Sequence, residues 1–208
     1  MLRENCEYRN FGFLSSNEQE GEEKEFTVRG YASTFEKYLL WDDGEYKVFE
    51  QIDPAAFDET DMKDVVFLLD HEGVVRARTK NGTIKLEVDG HGLLTETDLS
   101  ATGPSRDAYD AIRSGLYDQM SFAFTVVDDD IYRENDDKII TRTIHKIGKI
   151  FDISAVAFPA NPGTDIAAVS ARSYFDGVIE AQRAERLARE QALEVAKAKY
   201  YYMEVKHD

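Results

Sequence analysis

Most stretches between the alternating apolar–polar segments of this chain are too short to carry a helix back along a sheet. Parallel strands need a crossover of a dozen residues or more, whereas antiparallel strands can be joined by a tight turn. The spacing therefore predicts a mainly β fold with some helix. A largely antiparallel sheet is expected, closed into a β-barrel ringed by a few helices. The strands run over Phe26–Phe35, Tyr46–Phe49, Val65–Leu69, Thr83–Val88, Leu93–Leu99, Met120–Val127, Ile139–Ile144 and Ile150–Phe158. Val65–Leu69 is apolar on both faces and reads as fully buried.

The punctuation between strands is loop chemistry. Trp41–Gly44 reads as a loop and Asp89–Gly92 as a turn, and the acidic run Asp128–Asp130 reads as a further turn. Asp53 and Pro54 open a short helical turn. Residues 104–115 predict an amphipathic helix, started by Pro104, with Ala108 and Ile112 on one face and Gly115 at its end. From about Tyr174 to Tyr202, Ala, Glu, Arg and Lys dominate, which predicts a long helix. Its apolar side is mostly alanine. A frayed surface helix and an arm docking a partner or a second copy, giving a homo-oligomer, both fit. Three regions result: residues 1–25, an N-terminal strand and acidic loop; 26–172, the main domain; and 173–208, a helical tail.

Composition narrows the function classes. A chain of 208 residues can bury a core without disulfides or a structural metal. The single cysteine, Cys6, cannot form an internal bridge, which fits a reducing compartment. A net charge of -16 repels nucleic acid and suits a partner with basic patches. There is no apolar run long enough for a bilayer and no secretory signal, so a soluble protein without membrane association is expected.

Four histidines are available as a base: His71, His91, His145 and His207. His91 lies in a turn and His207 in the terminal tail. His71 follows the most buried strand and has a rigid mount. In Met120–Val126, period 2 puts Met120, Phe122, Phe124 and Val126 on a core face and Ser121, Ala123 and Thr125 on the other. A serine there is most simply a strand residue on a solvated face. As a nucleophile it needs a neighbouring base. Asp152 is a carboxylate in an otherwise apolar strand and needs a buried partner. It shares a face with Ser154. His71–Glu72 lacks the second histidine of a helical zinc-protease motif, the acids at 128–130 read as solvated, and no glycine-rich phosphate loop is present. No cofactor is expected. A metal at His71 and Asp152 is the weaker alternative.

Ordered motifs add a resemblance. They are Gly30–Phe35, Glu50–Phe57 (EQIDPAAF, close to E-x-I-x-P-G-A-F), Leu68–His71, Ala77–Thr79, Gly82–Leu86, Gly92–Leu93, Met120–Phe124 and Asp152–Val156 with Pro159–Pro162. Together they resemble the caudoviral prohead serine proteases over about residues 26–170. Ala55 and Ala123 stand where that family usually has glycine, and Asp152 where glutamate is common. The resemblance implies a fold similar to the herpesvirus assemblins and an endopeptidase acting in the host cytoplasm inside the assembling prohead. Its substrates would be the major capsid protein, scaffold segments and the protease itself. It implies Ser121 as nucleophile, His71 as base and Asp152 as third member, with His145 as rival. Arg76 and Arg78 are oxyanion candidates. A non-catalytic capsid-assembly or scaffold protein on the same fold is the alternative.

Overall fold

A computed structural model describes residues 6–16, 26–134, 138–157 and, apart from 178 and 182, 177–197. The chain divides into two compact units, residues 1–170 and 171–208. In the first unit the elements are β1 (Glu7–Ser16), β2 (Thr27–Thr34), β3 (Tyr38–Asp42), β4 (Lys47–Ile52), β5 (Val66–Leu69), β6 (Glu72–Arg78), β7 (Ile84–Val88), β8 (Gly92–Asp98), α1 (Gly103–Arg113), β9 (Gln119–Glu134) and β10 (Ile139–Val156). Pro54–Phe57 forms a single 3₁₀ turn, capped by Asp53 as its sequence predicts. In the second unit the described residues between 177 and 197 are helical, with Arg186–Glu190 and Arg189–Glu185 pairs along the surface. The acidic residues 17–25, the Pro159–Pro162 block and His207 lie outside the described residues.

The strands hydrogen-bond in the order β3-β4-β10-β9-β1-β2-β8-β7, with β5 on β10 and β6 on β5. The fold is mainly β, as the spacing predicts, but the ladder has two ends, and strand pairing does not close the expected barrel. Two pairs are parallel: β4 lies on Ile139–Ile144 and β5 on Asp152–Ala155. Short connections constrain only consecutive strands. β10 recruits partners from much earlier in the chain, so its pairing is invisible to that argument.

β9 and β10 also differ from the sequence expectation. Asp128–Asp130 does not turn; β9 runs on to Glu134, and the two segments predicted after it fuse into one strand of 18 residues. Strand pairing satisfies this backbone, and the acids face outward or meet Arg142. Residues 38–42, predicted partly as loop, are the edge strand β3. The β9–β10 ribbon carries register irregularities between Ile144 and Lys149 and again between Ile150 and Asp152. Bulges bend and twist a ribbon.

The bend is visible in one side chain. Arg9 on β1 lies opposite Phe122, at the level of Ile153, yet its guanidinium bonds Glu50, which lies opposite Arg142. Along a straight strand those levels would be about 35 Å apart. No arginine spans that, so the ribbon curls until its two ends face each other. Phe67, Leu93, Phe122, Phe124, Ile144 and Ile153 fill the space between. Ala108 and Ile112 of α1 join this core through the face the sequence assigns them. At Gly92 an added Cβ would lie 2.0 Å from the Ser33 carbonyl oxygen, so β2 and β8 require glycine there.

Candidate active site

His71 sits in a two-residue turn between β5 and β6. Leu69 pairs with Glu72, and the two residues between them, Asp70 and His71, have φ of 48° and 59°. Positive φ at both central residues is the geometry of the two-residue hairpin whose twist matches its strands. Neither residue is glycine, so the turn is strained by about 1–3 kcal/mol per residue and must be held. Asp70 holds it. Its amide donates to the Ala155 carbonyl at 3.0 Å, and its Oδ1 accepts from the Ala157 amide at 3.2 Å. Burial and the neighbouring Asp70, which bonds the Tyr117 hydroxyl, push the Tyr117 phenol up. Because β5 runs beside β10, the turn carries the imidazole over β10 toward β9.

There the ring meets both expected partners. His71 Nδ1 lies 2.5 Å from Asp152 Oδ1, and Nε2 lies 2.6 Å from Ser121 Oγ. A carboxylate can only accept, so Nδ1 carries a proton and Nε2 is left to accept from the serine. Asp152, one methylene shorter than the glutamate common at this position, still reaches the ring. Its side chain is 4% exposed against 18% for His71. Ser154 lies directly opposite Ser121 in the β9–β10 register. Its hydroxyl donates to Asp152 Oδ1 at 3.1 Å and sits 3.2 Å from His71 Nδ1. Tyr8 packs edge-on against the imidazole, with centroids 4.7 Å apart.

Ser121 is not on a solvated face. It is 0% exposed, and its hydroxyl has a second acceptor, the Arg9 carbonyl, at 2.9 Å. A hydroxyl has one proton to give. With neutral His71 the proton can go to Nε2. With a doubly protonated ring, Nε2–H donates to Oγ and the hydroxyl proton turns to Arg9.

The other predicted residues have other partners. His145 stands between Asp53 at 3.5 Å and Asp130 at 3.4 Å, nine residues before Ser154 on β10. What little burial it has pulls its imidazole down, but the two carboxylates outweigh this and hold it above the ordinary histidine range. Arg78 commits its Nε and one terminal nitrogen to Asp64. Arg76 ties one nitrogen to the Pro104 carbonyl, and its Nε is buried without a hydrogen-bond partner among the described residues. No group of three or more His, Cys, Asp or Glu among the described residues is arranged to hold a metal ion. No helix among them is long and apolar enough to cross a membrane.

Sequence reasoning missed the contribution of β1. Arg9 is anchored by Glu50 through two bonds, and Glu50 also binds Arg142 and the Tyr38 hydroxyl. Glu7 joins both arginines. Burial raises the Glu7 carboxyl, but Arg142 and Arg9 hold it below the ordinary carboxylate range. The only available signal was the glutamate of the EQIDPAAF motif, whose partners are remote in sequence.

Compared with known proteins, residues 14–176 match the family model described as caudovirus prohead serine protease. No curated protein and no solved structure matches the chain.

Proposed function

This chain belongs to the caudovirus prohead serine protease family, and on that premise we propose that it is a serine endopeptidase working through Ser121, His71 and Asp152. Its substrates are the major capsid protein, scaffold segments and its own chain, within the assembling prohead. The observation that carries the reading is the unbroken relay Asp152 Oδ1–His71–Ser121 Oγ, with both bonds near 2.5 Å.

In this mechanism Ser121 Oγ attacks the peptide carbonyl carbon while His71 Nε2 takes its proton. Asp152 fixes the tautomer and stabilises the imidazolium that forms. His71 then returns the proton to the leaving amine as the C–N bond breaks, leaving an acyl-serine. Water, deprotonated by His71, releases the acid and restores the hydroxyl. The oxyanion needs fixed donors, worth about 3–4 kcal/mol each in comparable sites. Strand amides and Arg76, which keeps an uncommitted Nε, are better candidates than Arg78.

The complete burial of Ser121 favours a second reading: a non-catalytic assembly protein that keeps the relay for packing. As a protease, the resting enzyme must open before a substrate carbonyl reaches Oγ. Mass spectrometry of the chain co-expressed with its capsid protein separates the two readings. Fragments that vanish in both Ser121→Ala and His71→Ala are expected; fragments unchanged in both eliminate the protease.

A further inference from the structure

We propose that Ser154 is a positioning residue of the same site, holding the Asp152 carboxylate and the His71 ring in register. This inference rests on reading Ser121, His71 and Asp152 as an acyl-transfer relay.

The argument begins with the backbone. A register irregularity lies between Ile150 and Asp152 on β10, at the point where the carboxylate must be aimed. A bulge re-aims the side chains beside it. From Asp152 onward the pairing is regular again, with Asp152 opposite Ala123 and Val66, and Ser154 shares a face with it. Its hydroxyl is fully buried, donates to the same Oδ1 that His71 addresses, and lies beside Nδ1. Its proton is committed to Asp152, so toward the ring it presents a lone pair. Nδ1–H therefore faces two oxygens, Asp152 at 2.5 Å and Ser154 at 3.2 Å. Rotating the carboxylate would break its bonds to His71 and Ser154, and tilting the ring would break its contacts to Asp152 and Ser154. Groups that face this cluster include His71 from the β5–β6 turn, Asp152 on β10, Ser121 on β9 with the Arg9 carbonyl of β1, and Tyr8 of β1 against the ring.

The chemistry gives a sign. Ser154 draws charge from Oδ1. Without that donor the carboxylate is a stronger acceptor for Nδ1–H. Alanine fits the site, because it removes only one oxygen.

The test uses the full chain with Ser154→Ala and Ser154→Thr, and a peptide spanning a cleavage point found in the capsid protein. In Ser154→Ala, kcat is expected to fall roughly 5- to 30-fold, the scale of one buried hydrogen bond, with KM little changed. The acid limb of the kcat profile shifts, and the low-field proton resonance of His71 Nδ1 moves further downfield. Ser154→Thr, which restores the hydroxyl, returns all three toward wild type. A folded Ser154→Ala chain in which neither the resonance nor the acid limb moves overturns the proposal, even if kcat falls. The resonance needs no turnover. If it shifts in a wild-type background that cleaves nothing, the positioning role stands and the protease reading fails.

Discussion

β1, β9 and β10 carry two buried polar clusters built to opposite ends. One is the group around Ser121, His71, Asp152 and Ser154. The other is the ion network of Arg9, Glu50, Arg142 and Glu7, with Tyr38 and Asp129 at its margins. Arg9 belongs to both: its guanidinium is locked into the network, and its carbonyl accepts from Ser121. In the network, opposite charges face each other through several bonds, and Arg9, Glu50 and Arg142 have almost no exposed surface. Burial would pull the Arg142 and Arg9 guanidinium groups down, but the carboxylates push both well above their ordinary range. Both guanidinium groups are held in their charged form. The site uses a partly exposed imidazole between a carboxylate and a hydroxyl, so a proton has two places to go. Buried charge that is fully matched holds a shape. Buried polarity with one uncommitted proton can do chemistry.

The contrast breaks most sharply by mutation in the site. Asp152→Asn should lower kcat by about 10⁴, because an amide favours the wrong tautomer of His71, while urea unfolding stays near wild type. A large loss of stability with little loss of activity would reverse the assignment of the two clusters. The network should show the opposite signature. Glu50→Gln leaves two buried guanidinium groups short of a counter-charge and is expected to cost about 3–5 kcal/mol in urea unfolding.

Acid should probe the network through Glu7. Its folded-state carboxyl lies below the ordinary range, so its contribution is present above about pH 4.3 and is lost as pH falls through the lower folded value. Glu7→Gln should be less stable than wild type at neutral pH, and the gap should narrow below pH 4.3 as the wild-type carboxyl protonates. A gap independent of pH in thermal unfolding would remove Glu7 from the network's charge balance. The smallest effect belongs to His145. Its imidazole is held above the ordinary range, so its contribution is complete below about pH 6.5 and lost as pH rises through the higher folded value. The pair is well exposed and screened, so His145→Gln should lower Tm by less than about 2 °C at pH 6 and by nothing measurable at high pH.

Much of the frame was legible from local pattern. The alternation in Met120–Val126 put Met120, Phe122 and Phe124 in the core, and they are there. Period 2 also placed Ser154 beside Asp152. Less legible was the ribbon: acids at 128–130 look like a turn because local chemistry does not record that Arg142 waits opposite Asp129. The turn at Asp70–His71 carries no glycine to announce its positive φ. Its conformation is imposed by bonds from Ala155 and Ala157, more than eighty residues away in the chain.

By itself, the sequence determined most of the segments that become strands, the core face of Met120–Phe124, and, through its ordered motifs, the family. Those properties follow from the two-residue period of a strand and from short-range turn chemistry. The tertiary structure alone decided that Ser121 is sealed rather than solvated, that Asp152 rather than His145 lies against the His71 ring, and that residues 9, 50 and 142 share one buried charge network. Each of these depends on how far a bulged ribbon curls, and curvature is set by contacts between strands that no local window of residues contains.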